Sequence, residues 1–222
     1  MPDPSPSSAA NTLRVALAQF DSSVGDIPGN TERVIAQIAR ARDELNADVI
    51  VFPELVLTGY PPADLLLHNG FRVKIDEAIE RVRKASDGIG VVVGYPYYAT
   101  PENIYNAASF FYNSGTLTTY FKQHLPNYGV FDEKRYFLPG SEGVIVRFKG
   151  LPIALTICED VWFSYPVKQA ADLGILQQII TAAGHGQLAG DQNVADISKF
   201  QAFFSILLHH DNGFAFVVLQ VV

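Results

Sequence analysis

The spacing of apolar residues changes period several times along this chain, and each change predicts an element. Residues 13–20, LRVALAQF, alternate and then run apolar, as a strand does. GDIPGNT reads as a turn, with Asn30 or Thr31 as the N-cap of a helix through ERVIAQIARARDEL. In that segment Val34, Ile38, Ala41 and Leu45 fall on one helical face. ADVIVFPE is a short, continuous apolar run, the pattern of a strand buried on both faces. A second amphipathic helix is predicted over 74–85, with Ile75, Ile79 and Val82 on its apolar face, and IGVVVGYPYY is the next buried strand. YNAASFFYN and TLTTYFKQ then read as two strands of a hairpin joined by NSGT. A loop rich in aromatic and charged residues, 124–143, leads to VIVRF, KG and LPIALTIC, a second tight hairpin.

The resulting order, β-α-β-α-β-β-β-β-β, predicts an α/β domain with a mixed sheet: alternation first, hairpins later. Residues 1–12, MPDPSPSSAANT, lack the basic and apolar regions of a signal peptide and read as a disordered lead-in. From Gly174 onward the periodicity weakens. That tail is expected to hold one or two helices and a final strand, FAFVVLQVV.

Composition narrows the function classes. The chain has 222 residues, the size of one moderate domain, and is 48% hydrophobic, which suits a globular core. A net charge of −7 offers no basic footprint for nucleic acid or for anionic lipid, so neither is an expected partner. A single cysteine excludes an intrachain disulfide and a multi-cysteine zinc site, which makes a cytoplasmic location the default expectation. The adjacent His209 and His210 would point in different directions on either a helix or a strand, so no metal site is expected.

Three ionisable residues stand at matching topological places. Glu54 lies just past VIVF, Lys122 ends TLTTYF and Cys158 ends LPIALTI. Ligand sites in such sheets gather outside strand ends, where loops bring distant residues together. Together the three would form a coherent chemical set: a carboxylate base, a cation for developing negative charge, and a thiol nucleophile. Each also has a bland reading: a small buried thiol, a loop carboxylate and a solvated edge lysine.

At these residues the chain resembles the nitrilase superfamily of carbon–nitrogen hydrolases, built on a Glu-Lys-Cys triad. The resemblance rests on RVALAQFDSSVGDIPGN, DVIVFPELVLTGYPPADLLL, FKQHLPNYGVFDEKRYFLPG and PIALTICEDVWF, and covers residues 13–173. CEDVW, LTGYPPADLLL and LPNYGVFDEKRYF narrow it to the N-terminal glutaminase domains of glutamine-dependent NAD synthetases.

The resemblance implies an α-β-β-α sandwich with mixed sheets, here expected to be incomplete at its C-terminal end because 174–222 diverges from the pattern. It implies that Glu54 is the general base, Lys122 an oxyanion donor and Cys158 the nucleophile toward a glutamine side-chain amide. Glu133 would orient the site, Tyr128 would contact substrate, and the backbone N–H of Glu159 would be a second oxyanion donor. The implied reaction releases ammonia and leaves a thioester on Cys158 that water hydrolyses. No cofactor is implied for this step. ATP and deamido-NAD belong to a synthetase domain that the sequence does not resemble anywhere, so the chain reads as truncated and that domain as a partner. The apolar FFSILL and FAFVVLQVV segments would either cover the sheet surface left exposed by the incomplete sandwich or suit contact with a second copy, a homo-oligomer. Two alternatives accompany this reading: a stand-alone amidase of the same superfamily, and an inactive fragment with only a binding role.

Overall fold

The computed structural model describes residues 13–172, together with the backbone of three short strands at 177–181, 207–208 and 218–221. The expectations of a disordered lead-in over 1–12, of helices in the tail and of no metal at His209 and His210 fall outside these residues. The chain begins with β1 (Arg14–Leu17), α1 (Ile27–Asp43), β2 (Val49–Val51) and α2 (Asn69–Ala85). It continues with β3 (Gly90–Tyr98), β4 (Ile104–Tyr112), β5 (Gly115–Phe121), β6 (Ile145–Phe148) and β7 (Leu151–Ile157). Helix α3 (Ser164–Asp172) and strands β8 (Gln177–Thr181), β9 (Leu207–Leu208) and β10 (Val218–Val221) complete it. Through β7 this is the predicted order.

Helix α1 starts earlier than the pattern suggested. Asp26, not Asn30 or Thr31, is its N-cap, accepting from the Gly29 N–H at 3.1 Å. Pro28 suits a first helical turn, where an N–H has no partner to lose. Asn30 is instead buried and ties two loops together, accepting from Ser23 N–H and donating to the carbonyls of Ser23 and Leu57. Thr31 donates back to the Ile27 carbonyl. Helix α2 also begins five residues before the predicted start, because Phe71 extends the buried face formed by Ile75, Ala78 and Val82.

Both hairpins are two-residue turns. Asn113 and Ser114 (φ 49° and 58°), and Lys149 and Gly150 (φ 48° and 81°), all take left-handed conformations, matching the twist of the strands they join.

The strands form two sheets, ordered β10-β1-β2-β3-β4-β5 and β6-β7-β8-β9. In the first, β1, β2 and β3 are parallel, and β4 is antiparallel to both β3 and β5. Strand alternation then divides the core in two. Val15, Leu17, Val49, Val51, Val92 and Phe110 pack against Val146, Phe148, Ile153, Leu155 and Ile157 of the second sheet. Ala16, Ile50, Phe52, Val91 and Val93 face the other way, onto Val34 and Ile38 of α1 and Ile75 and Val82 of α2. The helix–sheet–sheet layering follows from these two apolar faces on one set of strands. Because β2 and β5 run in the same direction, Glu54 and Lys122 leave the sheet at the same edge.

Candidate active site

Glu54 follows β2 through Phe52 and Pro53. Its approach to the sheet depends on Gly94 of β3: a Cβ there would lie 2.7 Å from both the Pro53 carbonyl oxygen and the Leu55 nitrogen. Leu55 itself is fully buried with φ 51°, a left-handed conformation that the packing around it must hold. Lys122 is the first residue beyond β5. Its N–H donates to the Asn106 carbonyl and its own carbonyl accepts from Gly140 N–H, both near 2.9 Å. Gly140 lies so close that a Cβ would come 2.2 Å from the Phe121 carbonyl oxygen. Glu133 opens a short 3₁₀ turn, Glu133–Arg135.

These elements deliver three charged side chains to one buried point. The Lys122 ammonium donates to Glu54 Oε1 at 2.7 Å and to Glu133 Oε1 at 2.9 Å, and all three side chains are 0–5% exposed. Asn106 Nδ2 also donates to Glu54 Oε1, and the Tyr60 hydroxyl donates to Glu133 Oε1 at 2.8 Å. Glu133 Oε2 is buried without a hydrogen-bond partner. Burial opposes the Lys122 charge, but Glu54 and Glu133 outweigh it and hold the ammonium firmly protonated. Burial and the neighbouring Glu54 push Glu133 up to about 7, against the pull of Lys122.

Cys158 opens the 3₁₀ turn Cys158–Trp162 directly after β7. It is half-buried and has φ 47°, a strained conformation of the kind that costs about 1–3 kcal/mol and clusters at functional sites. Burial raises its thiol pKa well above the usual range. Glu54, Glu133 and Glu159 add to the shift, and Lys122 counters it. The thiol therefore sits within the field of the buried cluster and rests protonated.

The two residues after Cys158 diverge in role. Glu159 is nearly buried, and its carboxylate accepts a short hydrogen bond from the hydroxyl of Tyr128, which is otherwise half exposed. This bond pushes the Tyr128 phenol up to about 12. Asp160 is fully buried and faces the exits of β5 and β7. Glu159 and Tyr128 line a cavity of about 650 Å³ that His124 and Phe163, stacked with ring centroids 3.7 Å apart, also border. Tyr60 and Glu133 line a smaller one of about 170 Å³.

All six residues singled out in the sequence thus gather in one region: Glu54, Lys122, Glu133 and Cys158 around the charged point, Tyr128 and Glu159 as a pair beside it. Tyr60, Asn106, Tyr120 and Asp160 were missed as partners of the site. Asn106 carried a usable signal, since an asparagine inside the apolar run YNAASFFY is unusual in a buried strand. No group of three or more potential metal ligands occurs among the described residues. No described helix is long and apolar enough to cross a membrane.

The chain is similar to known proteins over most of its length. Residues 14–192 match the carbon-nitrogen hydrolase family. A glutamine-dependent NAD(+) synthetase of Xanthomonas campestris pv. campestris is 47% identical over 167 residues, covering 74% of this chain and 30% of the relative. A solved glutamine-dependent NAD+ synthetase from Acinetobacter baumannii, in complex with ADP, matches at a TM-score of 0.74 and 34% identity, covering 78% of this chain and 33% of that one. A variant amidase from Nesterenkonia sp., with the acetamide moiety of fluoroacetamide added at its active-site cysteine, matches at 0.72 and 27% identity, over 80% of this chain and 68% of its own. The chain spans about 30% of the length of the curated synthetases it matches. With a family match over most of its length and an α/β fold of mixed sheets, the chain belongs to the carbon-nitrogen hydrolase family.

Proposed function

We propose that this chain hydrolyses the side-chain amide of glutamine, as the glutaminase part of an NAD-forming synthetase. The observation that carries the reading is the convergence of Glu54, Lys122 and Glu133 beside a strained Cys158. The resting thiol is protonated, so attack requires a base in the same step. Glu54 takes the proton as Sγ bonds to the amide carbon. The C–O π pair moves to oxygen, where Lys122 and the backbone N–H of Glu159 stabilise it. Glu54 then returns the proton to nitrogen, the C–N bond breaks and ammonia leaves a thioester on Cys158. Water attacks that carbon as Glu54 takes one of its protons. The C–S bond breaks to give glutamate, and the proton goes back to sulfur.

General base help of this kind is worth about 10²–10⁴-fold. One oxyanion donor is worth about 3–4 kcal/mol. Glu133, as a second acceptor for the ammonium, would hold the lysine in place together with Glu54. Tyr128 and Glu159, which line the larger cavity, would meet the polar end of a substrate. The ammonia would serve an ATP-using synthetase domain, the only place where ATP and deamido-NAD would act.

The test is ammonia release from glutamine by the chain and by Cys158→Ala. The wild type should release it, and the variant should fall to background while keeping its fold. No release from wild type would reject the reading. The match to the Nesterenkonia amidase favours a second reading, hydrolysis of another small amide. A panel of amides decides, since a stand-alone amidase would prefer one other than glutamine.

A further inference from the structure

The catalytic groups proposed above come from two different sheets. Lys122 leaves β5 of the first, and Cys158 leaves β7 of the second. Between the sheets lies an apolar layer of Val, Leu, Ile and Phe side chains. Apolar burial is strong but non-directional, so it sets the distance between sheets far better than their relative slide. Alignment of reacting groups, by contrast, must hold to about 0.5 Å. A directional tie is needed between the two strand exits.

Asp160 supplies one. Its Oδ1 accepts from the backbone N–H groups of Gln123 at 3.1 Å and His124 at 2.8 Å, the two residues that follow Lys122. Its Oδ2 accepts from Ile157 N–H at 3.1 Å, just before Cys158, and from the Tyr120 hydroxyl at 2.8 Å, two residues before Lys122. The carboxylate is 0% exposed. It therefore grips the chain on both sides of Lys122 and directly before Cys158. The bond to Ile157 also closes the turn in which Cys158 holds its left-handed conformation.

We propose that Asp160 is a positioning residue: it fixes the Lys122 ammonium against the Cys158 thiol by pinning the ends of β5 and β7 to one carboxylate. This rests on the reading of Cys158 as nucleophile, but its test does not need turnover. Asp160→Asn keeps the shape and gives up one acceptor, because an NH₂ group cannot accept from an N–H. The readout is the rate of Cys158 alkylation by iodoacetamide across pH, which follows the thiolate fraction. A cation retreating by about 1 Å from about 4 Å, at an effective dielectric of about 20, weakens its hold on a thiolate by about fourfold in equilibrium. Loss of the Asp160 charge would by itself ease thiolate formation, so a slower reaction reads the retreat of the cation and not the lost charge. The Asn variant should react more slowly by up to about fourfold at a fixed pH below the thiol pKa, its profile displaced to higher pH.

Where glutamine turnover is measurable, kcat should fall with little change in KM. A folded Asn variant whose profile superimposes on the wild type, or moves to lower pH as loss of the charge alone would move it, would overturn the proposal and leave Asp160 a structural residue only. Should the Asn variant not fold, Tyr120→Phe, which removes one of the four bonds, carries the test: a smaller displacement in the same direction supports it, and no displacement rejects it. If the wild type releases no ammonia, the glutaminase reading fails, and the alkylation comparison still decides the role of Asp160.

Discussion

Two buried acidic centres stand on either side of Cys158 in the sequence of strands, and their partners differ in kind. Around Lys122, two glutamates share one ammonium, with Asn106 and Tyr60 as additional donors. Around Asp160, all four donors are neutral: three backbone N–H groups and one phenol. In the first centre there is more acid than base, Glu133 Oε2 has no partner, and protons can move at neutral pH. In the second, burial raises Asp160 while its donors oppose the shift, and each oxygen is fully engaged. The difference fits the two roles proposed for them. A site that transfers protons needs groups whose protonation states are close in energy, whereas a site that holds geometry needs saturated, directional bonds.

The sharpest way to break this contrast is to remove the cation. Lys122→Met leaves Glu54 and Glu133 buried beside each other without their ammonium. Loss of one partner of a buried pair costs about 3–5 kcal/mol, so equilibrium denaturation should show a loss of that order. A change under 1 kcal/mol would mean that the two glutamates share protons well enough to need no lysine. The Asp160 centre should respond less. Tyr120→Phe removes one hydrogen bond to a charged acceptor and should cost about 1.5–3 kcal/mol in the same measurement.

The pH dependence distinguishes the centres more finely. Glu133 has its folded pKa raised to about 7, above the ordinary carboxylate range. Between those values the folded state holds a proton that the unfolded state has released, so stability falls as pH rises toward 7 and then levels. Glu133→Gln should flatten that part of the melting-temperature profile, while Tyr120→Phe should lower the curve without changing its slope there. The smallest effect is expected outside both centres. Trp162 is 59% exposed, and Trp162→Ala should alter stability by no more than about 0.5 kcal/mol.

The elements of the fold were legible because their signals are local. Apolar period gave every strand and helix through β7, and both hairpins followed from turn residues suited to positive φ. The start of α1 was not, because Asn30 and Thr31 carry capping chemistry that tertiary contacts use otherwise, Asn30 across to Leu57. In the site, Glu54, Lys122 and Cys158 were legible as residues at strand ends, and Glu133, Tyr128 and Glu159 came from motif resemblance. Tyr60, Asn106 and Asp160 were not, since each has partners 36 to 73 positions away in the sequence.

LTICEDVW shows the division most clearly. By itself the sequence determined that a strand ends in a thiol followed by two acids, since hydrophobic period and residue order are properties of neighbours. It could not determine that these acids have opposite roles. Glu159 meets Tyr128 beside a cavity, while Asp160 turns inward to close a bond network with β5. Only the stacking of the two sheets decided that, because three of the four donors to Asp160 come from the end of β5 and just beyond it, some forty residues earlier, and are brought to it by packing.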